Sequence, residues 1–386
     1  MEYIVKTIDE LCVKITDGSH FSPEHEEFGK YPMYSSKDML YNEFDNSDVK
    51  LISEDVYKKL VAQDCRPLKD DILIIKDGNS YLKRIFKAKH DLDAVILSSI
   101  AILRPNSKEI NPDFFVYLLR STSIRNAMAN YVSGAAIPRI VLKDFKKMKL
   151  KFIKDLETQN GIASILSAYD NLIENNNKRI KILEQMADNL YKEWFVRFRF
   201  PGHETTPIEN GIPKGWIIEK LGNVANISTG KCNREDAEED GVYPLFDRSQ
   251  EIKKSSEWIK DCEAIIVPGE GTSFMPRYYW GKFNLHQRCY CVEPKDNTIG
   301  KFFFFVLKLN RKYFLSVATG ATVPSLRYNN FAKMQFVMPP KKLCQKFNEI
   351  AKNNFAMVDS LKEQNESLIK QRDLLLPRLM SGKIAV

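Results

Sequence analysis

A chain of 386 residues, 44% of them hydrophobic, is long enough to bury several cores and predicts a globular protein of more than one domain. No apolar run reaches the roughly 18 to 20 residues of a membrane span, and the opening Met1-Glu2-Tyr3-Ile4-Val5-Lys6 lacks a signal peptide's charged and apolar sections, so a cytoplasmic protein is expected. The net charge of +8 admits a nucleic-acid partner, but without a basic tail any such surface must be assembled from folded patches; seven cysteines with no C-x-x-C pair and five histidines without ligand spacing argue against a disulfide framework or a metal site.

Residues 1–153 read as a mixed α/β half. Asp71 to Gly78 is a short apolar strand run ending in a turn, and Ala94 to Leu97 and Ile100 to Leu103 are further strands. Asn111-Pro112-Asp113 opens a helix through Phe114 to Leu119, with Asn as cap and Pro in the first turn. That tetrapeptide has a superficial likeness to the Asn-Pro-Pro-aromatic motif of amino-methyltransferases. Its third residue is Asp, however, and no glycine-rich cofactor turn accompanies it, so a cap explains it better.

From residue 154 to 200 the pattern changes. Ile162, Leu166, Tyr169, Ile173, Asn176, Ile180, Leu183, Ala187, Leu190 and Trp194 alternate four and three apart, the heptad seam of a long helix that should end before Pro201-Gly202. Asn176 occupies a seam position, where a polar residue fixes register at some cost in stability. About 35 residues at 1.5 Å each would reach about 50 Å, a spacer as well as a core element.

Residues 201–340 repeat the first half. Gly134-Ala135-Ala136-Ile137-Pro138, followed by Phe145 and Met148, returns as Gly320-Ala321-Thr322-Val323-Pro324, Phe331 and Met334, an offset of 186 (320 − 134). Ile15-Thr16-Asp17-Gly18 answers Ile227-Ser228-Thr229-Gly230, and Tyr31-Pro32-Met33-Tyr34 answers Tyr243-Pro244-Leu245-Phe246. Ala264 to Gly269 and Cys289 to Val292 are the matching strands, Phe302 to Leu309 is the matching helix, and Pro105 and Pro294 close equivalent strands.

Residues 341–386 carry a second seam, Ala351, Asn354, Val358, Leu361, Asn365, Leu368, Arg372, Leu375 and Leu379, with Asn365 equivalent to Asn176 and Pro377 expected to kink or end the helix one turn early. A lone seam would face water, so the two helices are expected to cover each other as an antiparallel intramolecular coiled coil, with Ile173, Asn176, Ile180, Leu183 and Leu190 facing Leu361, Asn365, Leu368, Leu375 and Leu379. A period of half the chain is too long for a solenoid and implies a pseudo-twofold duplication.

Polar and basic side chains gather where strands end. Ser19, His20, Ser35, Lys37, Lys76, Asn79 and Arg139 in the first half have counterparts in Lys231, Asn233, Arg234, Arg248, Gln250, Arg277, Tyr278, His286 and Arg288. Arg, Lys, Asn and Gln form paired hydrogen bonds to base edges in the major groove, and Ser and Thr supplement them at phosphates. Gly269-Glu270-Gly271-Thr272 lacks the Lys-Ser/Thr of a phosphate loop and reads as a flexible turn.

The order and duplication of these segments resemble the specificity subunit of type I restriction-modification enzymes. The likeness rests on Leu156 to Leu166 leading into Asp170 to Asn176, on Pro213-Lys214-Gly215-Trp216 before Lys220-Leu221-Gly222, and on Leu374 to Ile384, and it covers essentially the whole chain. The first half lacks the Pro-x-Gly-Trp lead. The resemblance implies two target-recognition domains, one per half, reading a split and asymmetric double-stranded DNA sequence at a separation set by the helices. It further implies that the helices dock two modification subunits, which carry S-adenosylmethionine and methylate adenine, and through them restriction subunits. This chain would then hold no cofactor, metal or catalytic residue. A fused modification and cleavage system would change only the partner. A self-contained methyltransferase or nuclease using Asp71, Asp77 or Asp113, and a scaffold without DNA function, are the other readings.

Overall fold

The computed structural model describes residues 2–133, 138–249 and 251–386, so the Gly134 to Ile137 repeat and Gln250 lie outside the described residues. The chain divides into two compact units, Met1–Asn175 with Gln364–Val386, and Asn176–Glu363. Each unit therefore takes a stretch of both long helices, and the boundary falls inside the helices rather than at their ends. Among the described residues no helix is long and apolar enough to cross a membrane.

In the first unit Cys12–Asp17, Ile100–Pro105, Ile72–Ile75 and Ile85–Lys87 form an antiparallel sheet in that order, and a second sheet runs Lys50–Ile52, Tyr31–Tyr34, Val95–Ile96. In the second unit the same strands are joined. Ala225–Thr229, Cys289–Pro294, Lys260–Pro268, Arg277–Leu285, Tyr243–Phe246 and Lys253–Ser255 make one sheet, because the nine-residue strand Arg277–Leu285 spans what is two short strands in the first unit. The parallel pairing is kept: Tyr34 opposes Ile96 as Phe246 opposes Leu285. Tyr3–Thr7 pairs with Lys149–Ile153 as Ile217–Lys220 pairs with Gln335–Met338, so the strand following the Pro213 to Trp216 lead has its counterpart in the first half.

The capped helix runs Pro112–Arg120, with the Asn111 side chain accepting from the Phe114 amide at 2.8 Å, and its counterpart runs Gly300–Leu309. Both bury apolar side chains against the sheets, Phe114 and Phe115 in one unit and Phe302 and Phe303 in the other.

The central helix spans Leu156–Tyr191 and passes into a π-helical turn, Lys192–Val196, before Pro201. Every predicted seam residue on it is buried or half-buried, Asn176 among the former. The last helix spans Lys341–Met380 and runs three residues beyond Pro377. A proline in the final turn forfeits one backbone hydrogen bond, while Leu375 and Leu379 hold that turn on the core. Within the first unit the helices are antiparallel: Gly161 lies by Val386 and Asp170 by Arg372. Within the second, Glu184 meets Lys362 and Tyr191 meets Phe347, again antiparallel.

The duplication reaches single glycines. A Cβ at Gly18 would lie 2.1 Å from the Ile96 carbonyl oxygen, and one at Gly230 would lie 1.7 Å from that of Leu285. Ile96 and Leu285 are themselves equivalent, so both halves thread backbone past backbone at one place. Gly18→Ala and Gly230→Ala should each destabilise by roughly 1–3 kcal/mol or more, as overpacking does. Urea unfolding would show a lowered midpoint at unchanged slope, and a variant as stable as the parent would refute the equivalence.

Candidate nucleic-acid interface

The loops carrying the candidate residues are held by one backbone frame, repeated bond for bond. Leu97 N donates to Tyr34 O at 2.8 Å, and His286 N to Phe246 O at 2.9 Å. Ser98 N donates to Ser19 O and Gln287 N to Cys232 O, both at 2.9 Å. Lys76 N reaches Ser99 O at 3.0 Å, and Gly269 N reaches Arg288 O at 2.8 Å. Gly78 N reaches Pro138 O and Gly271 N reaches Pro324 O, at 2.8 and 3.0 Å. In each unit the ends of separate strands are thus locked into one cluster of loops. On this frame Lys76 corresponds to Gly269, Asp77 to Glu270, Ser99 to Arg288 and Arg139 to Ser325.

The side chains on the frame differ. In the first unit the Lys76 ammonium is buried, 3.0 Å from Asp77 Oδ2 and 3.4 Å from Asp17 Oδ2. Asp17 Oδ1 in turn lies 3.4 Å from His20 Nε2. Asp77 Oδ1 is buried without a hydrogen bond among the described residues, and Arg139 approaches it at 3.8 Å while remaining largely exposed. His20, Lys76 and Arg139 are therefore brought together. Ser19 is turned inward and bonds to Phe21, Ser35 caps a turn through Asp38, and Lys37 and Asn79 are exposed.

In the second unit Glu270 occupies the centre. Its carboxylate is 13% exposed and accepts from Arg248 Nη1 at Oε2, at 2.7 Å, and from Arg288 Nη1 at Oε1. Burial opposes its charge, but Arg288 and then Arg248 outweigh it and hold the carboxyl below its ordinary range. Asp247 beneath is buried. Burial again works against ionisation, yet bonds from Lys253 at 2.6 Å and from Ser249 bring the carboxyl down to about 2. Lys231 and Asn233 are exposed, the latter accepting from Gln287 at 2.6 Å. The Arg234 side chain lies outside the described residues, as does Gln250.

Three candidates serve the frame more than its surface. Arg277 lies over the Phe246 ring at 5.0 Å and donates to the carbonyls of Asp247 and Ser249, tying that loop down. His286 is buried and accepts from the Arg288 amide at 3.0 Å; burial, then Arg248, lowers its pKa and favours the neutral ring. Tyr278, one residue along the strand from Arg277, points to the opposite face, as alternation requires. Its hydroxyl meets Glu263 and, at 2.7 Å, Lys301, beside the Phe355 ring at 5.0 Å. It is thus drawn away from the loops.

Asp71 and Asp113 are occupied. Asp71 is fully buried and takes both Arg104 Nε and Nη2 at 2.8 Å, and Asp113 pairs with Lys87 at 2.9 Å. Among the described residues no group of three or more His, Cys, Asp or Glu could hold a metal ion. Glu270 is the residue that sequence reasoning missed. The signal available for it was the pairing of Lys76-Asp77-Gly78 with Gly269-Glu270-Gly271, two strand ends with an acid before a glycine.

Comparison with known proteins agrees with this duplicated frame. The model of the type I restriction modification DNA specificity domain matches residues 2–185 and again 213–371. The MjaIX specificity subunit of Methanocaldococcus jannaschii is 24% identical over 311 residues, covering 71% of this chain and 69% of that one. The HindI specificity subunit of Haemophilus influenzae is 24% identical over 450 residues, covering 93% and 96%. A crystal structure of a type I restriction-modification S subunit from M. genitalium superimposes with a TM-score of 0.62 over 98% of this chain and 96% of that one, at 20% identity, and so shares the fold.

Proposed function

Because this chain belongs to the type I restriction modification DNA specificity family, we propose that it is the DNA-reading subunit of such an enzyme, one loop cluster reading each part of a two-part target. The observation that carries the reading is the repeated backbone frame with unlike cations upon it, Lys76 and Arg139 in one unit, Arg248 and Arg288 in the other. A shared frame suits one kind of ligand, and different side chains suit different sequences, so the two half-sites should differ. Phosphate contacts would supply most of the affinity, with a steep salt dependence, and base-edge contacts the discrimination.

The long helices would dock two modification subunits, and through them restriction subunits. S-adenosylmethionine and the methyl transfer would belong to the modification subunits, and the target base would be flipped out there. This chain would be non-catalytic and cytoplasmic. Asp71 and Asp113, each committed to a cation of its own unit, support that assignment.

Footprinting of the assembled complex tests the reading: two protected patches separated by a gap are expected. Exchange of residues 1–150 for those of a relative should change one patch's sequence only. Absence of protection at low salt, or a change in both half-sites, would overturn it.

A further inference from the structure

We infer that Glu270 is a positioning residue that holds Arg248 and Arg288 as a paired guanine-reading head, so that the half-site of the second unit contains guanine recognised by these two side chains. The inference rests on the DNA-reading function proposed above and adds the base class and the residues.

Three features lead to it. First, Glu270 is tied down through its backbone: it is bridged to Ser325, and the adjoining amides of Gly269 and Gly271 donate to Arg288 O and Pro324 O. Second, each carboxylate oxygen accepts from one arginine and the carboxylate is only 13% exposed, so Glu270 is placed to hold the arginines rather than to meet a base itself. Third, the arginines are half-exposed, 47% and 56% at the side chain, although their common partner is nearly buried. Each uses only Nη1 on Glu270, and no other bond to either guanidinium occurs among the described residues. The Nε and Nη2 edge of each is left for a ligand. That edge has the fork geometry that pairs with guanine O6 and N7.

A phosphate is a poorer match. The carboxylate between the two cations reduces the attraction for a second anion, whereas a base edge carries no full charge. In the first unit the acid Asp77 has one buried lysine and one exposed arginine beside it, which offers a single guanidinium and hence a different half-site.

The test is selection from randomised duplexes by the full chain in its assembled complex, with the bound pool sequenced. The parent should yield a two-part motif with guanine in one part. Arg248→Lys and Arg288→Lys, surface changes that preserve charge, should each lower preference for one guanine in that same part by about 5- to 150-fold and leave the other part intact. Glu270→Gln should weaken both guanine positions together while thermal unfolding stays near that of the parent; if it fails to fold, the two lysine variants carry the test alone. A uniform loss across all sequences would assign the arginines to phosphates, and an unchanged motif in the lysine variants would remove them from readout, and either result overturns the inference. Failure of the parent to select any motif would instead strike the DNA-reading function itself.

Discussion

Asp170→Ala is expected to destabilise the first unit by roughly 3–5 kcal/mol, the usual effect of removing one member of a buried charge network. Asp170, on the central helix, accepts from Tyr117 Oη at 2.8 Å, Arg120 Nη1 at 3.1 Å and Arg372 Nη1 at 2.6 Å. The two guanidiniums lie 4.1 and 4.6 Å from the Tyr41 ring centroid. One carboxylate therefore pairs with two cations that both approach one aromatic ring, Arg372 being shared with Asp373, and it joins the capped helix, the central helix and the last helix. Without it, Arg120 loses its carboxylate and Arg372 keeps only the more exposed Asp373, 2.8 Å away, so two cations are left crowded beside one ring. The effect should appear as an earlier urea transition. Combining Asp170→Ala with Arg372→Met should recover part of the loss, because the second change removes a cation that has lost its buried partner. A cost below 1 kcal/mol for the single change would show that water replaces the carboxylate and that the network does not fasten the helices.

Phe347→Ala should cost the second unit a similar amount by a different route. Phe347 is fully buried on the last helix, with ring centroids 5.2 Å from Phe195, 5.6 Å from Phe305 and 5.8 Å from Tyr191. It is where that helix enters the core of the second unit. Truncation deletes the ring's transfer free energy and leaves a cavity between large, rigid neighbours that cannot collapse, about 3–5 kcal/mol in sum. Phe28→Ala is the matched control. That ring is 96% exposed, and its loss should stay within about 0.5 kcal/mol. Equal midpoints for Phe347→Ala and the parent would mean that the helix is not anchored there.

The helices were legible because a seam is a period, and a period survives any detail of side-chain geometry. Ile162, Leu166, Ala187, Trp194, Ala351, Val358, Leu361 and Leu379 are all buried where the four-three spacing puts them. Pro377 does not end the helix, which runs on to Met380 because the burial of Leu379 in that turn outweighs one lost backbone bond. The recognition loops were only half legible. Adjacent strand residues cannot both face one ligand, and Arg277 and Tyr278 point to opposite faces. The central acid escaped for a geometric reason. Asp77 and Glu270 are 193 positions apart, whereas the flanking repeats run at 186 and at 189 (294 − 105), so loop lengths erase the register that the backbone bonds restore.

The make-up of the first unit has a consequence for how the protein is made. Its core includes Leu379 and rests partly on Leu375, yet residue 364 leaves the ribosome only after 189 further positions (364 − 175) have been added beyond the rest of the unit. At roughly 5 to 20 residues per second that interval lasts about 10 to 40 seconds. Throughout it the apolar side chains that Leu375, Leu376 and Leu379 cover in the finished unit lack that cover.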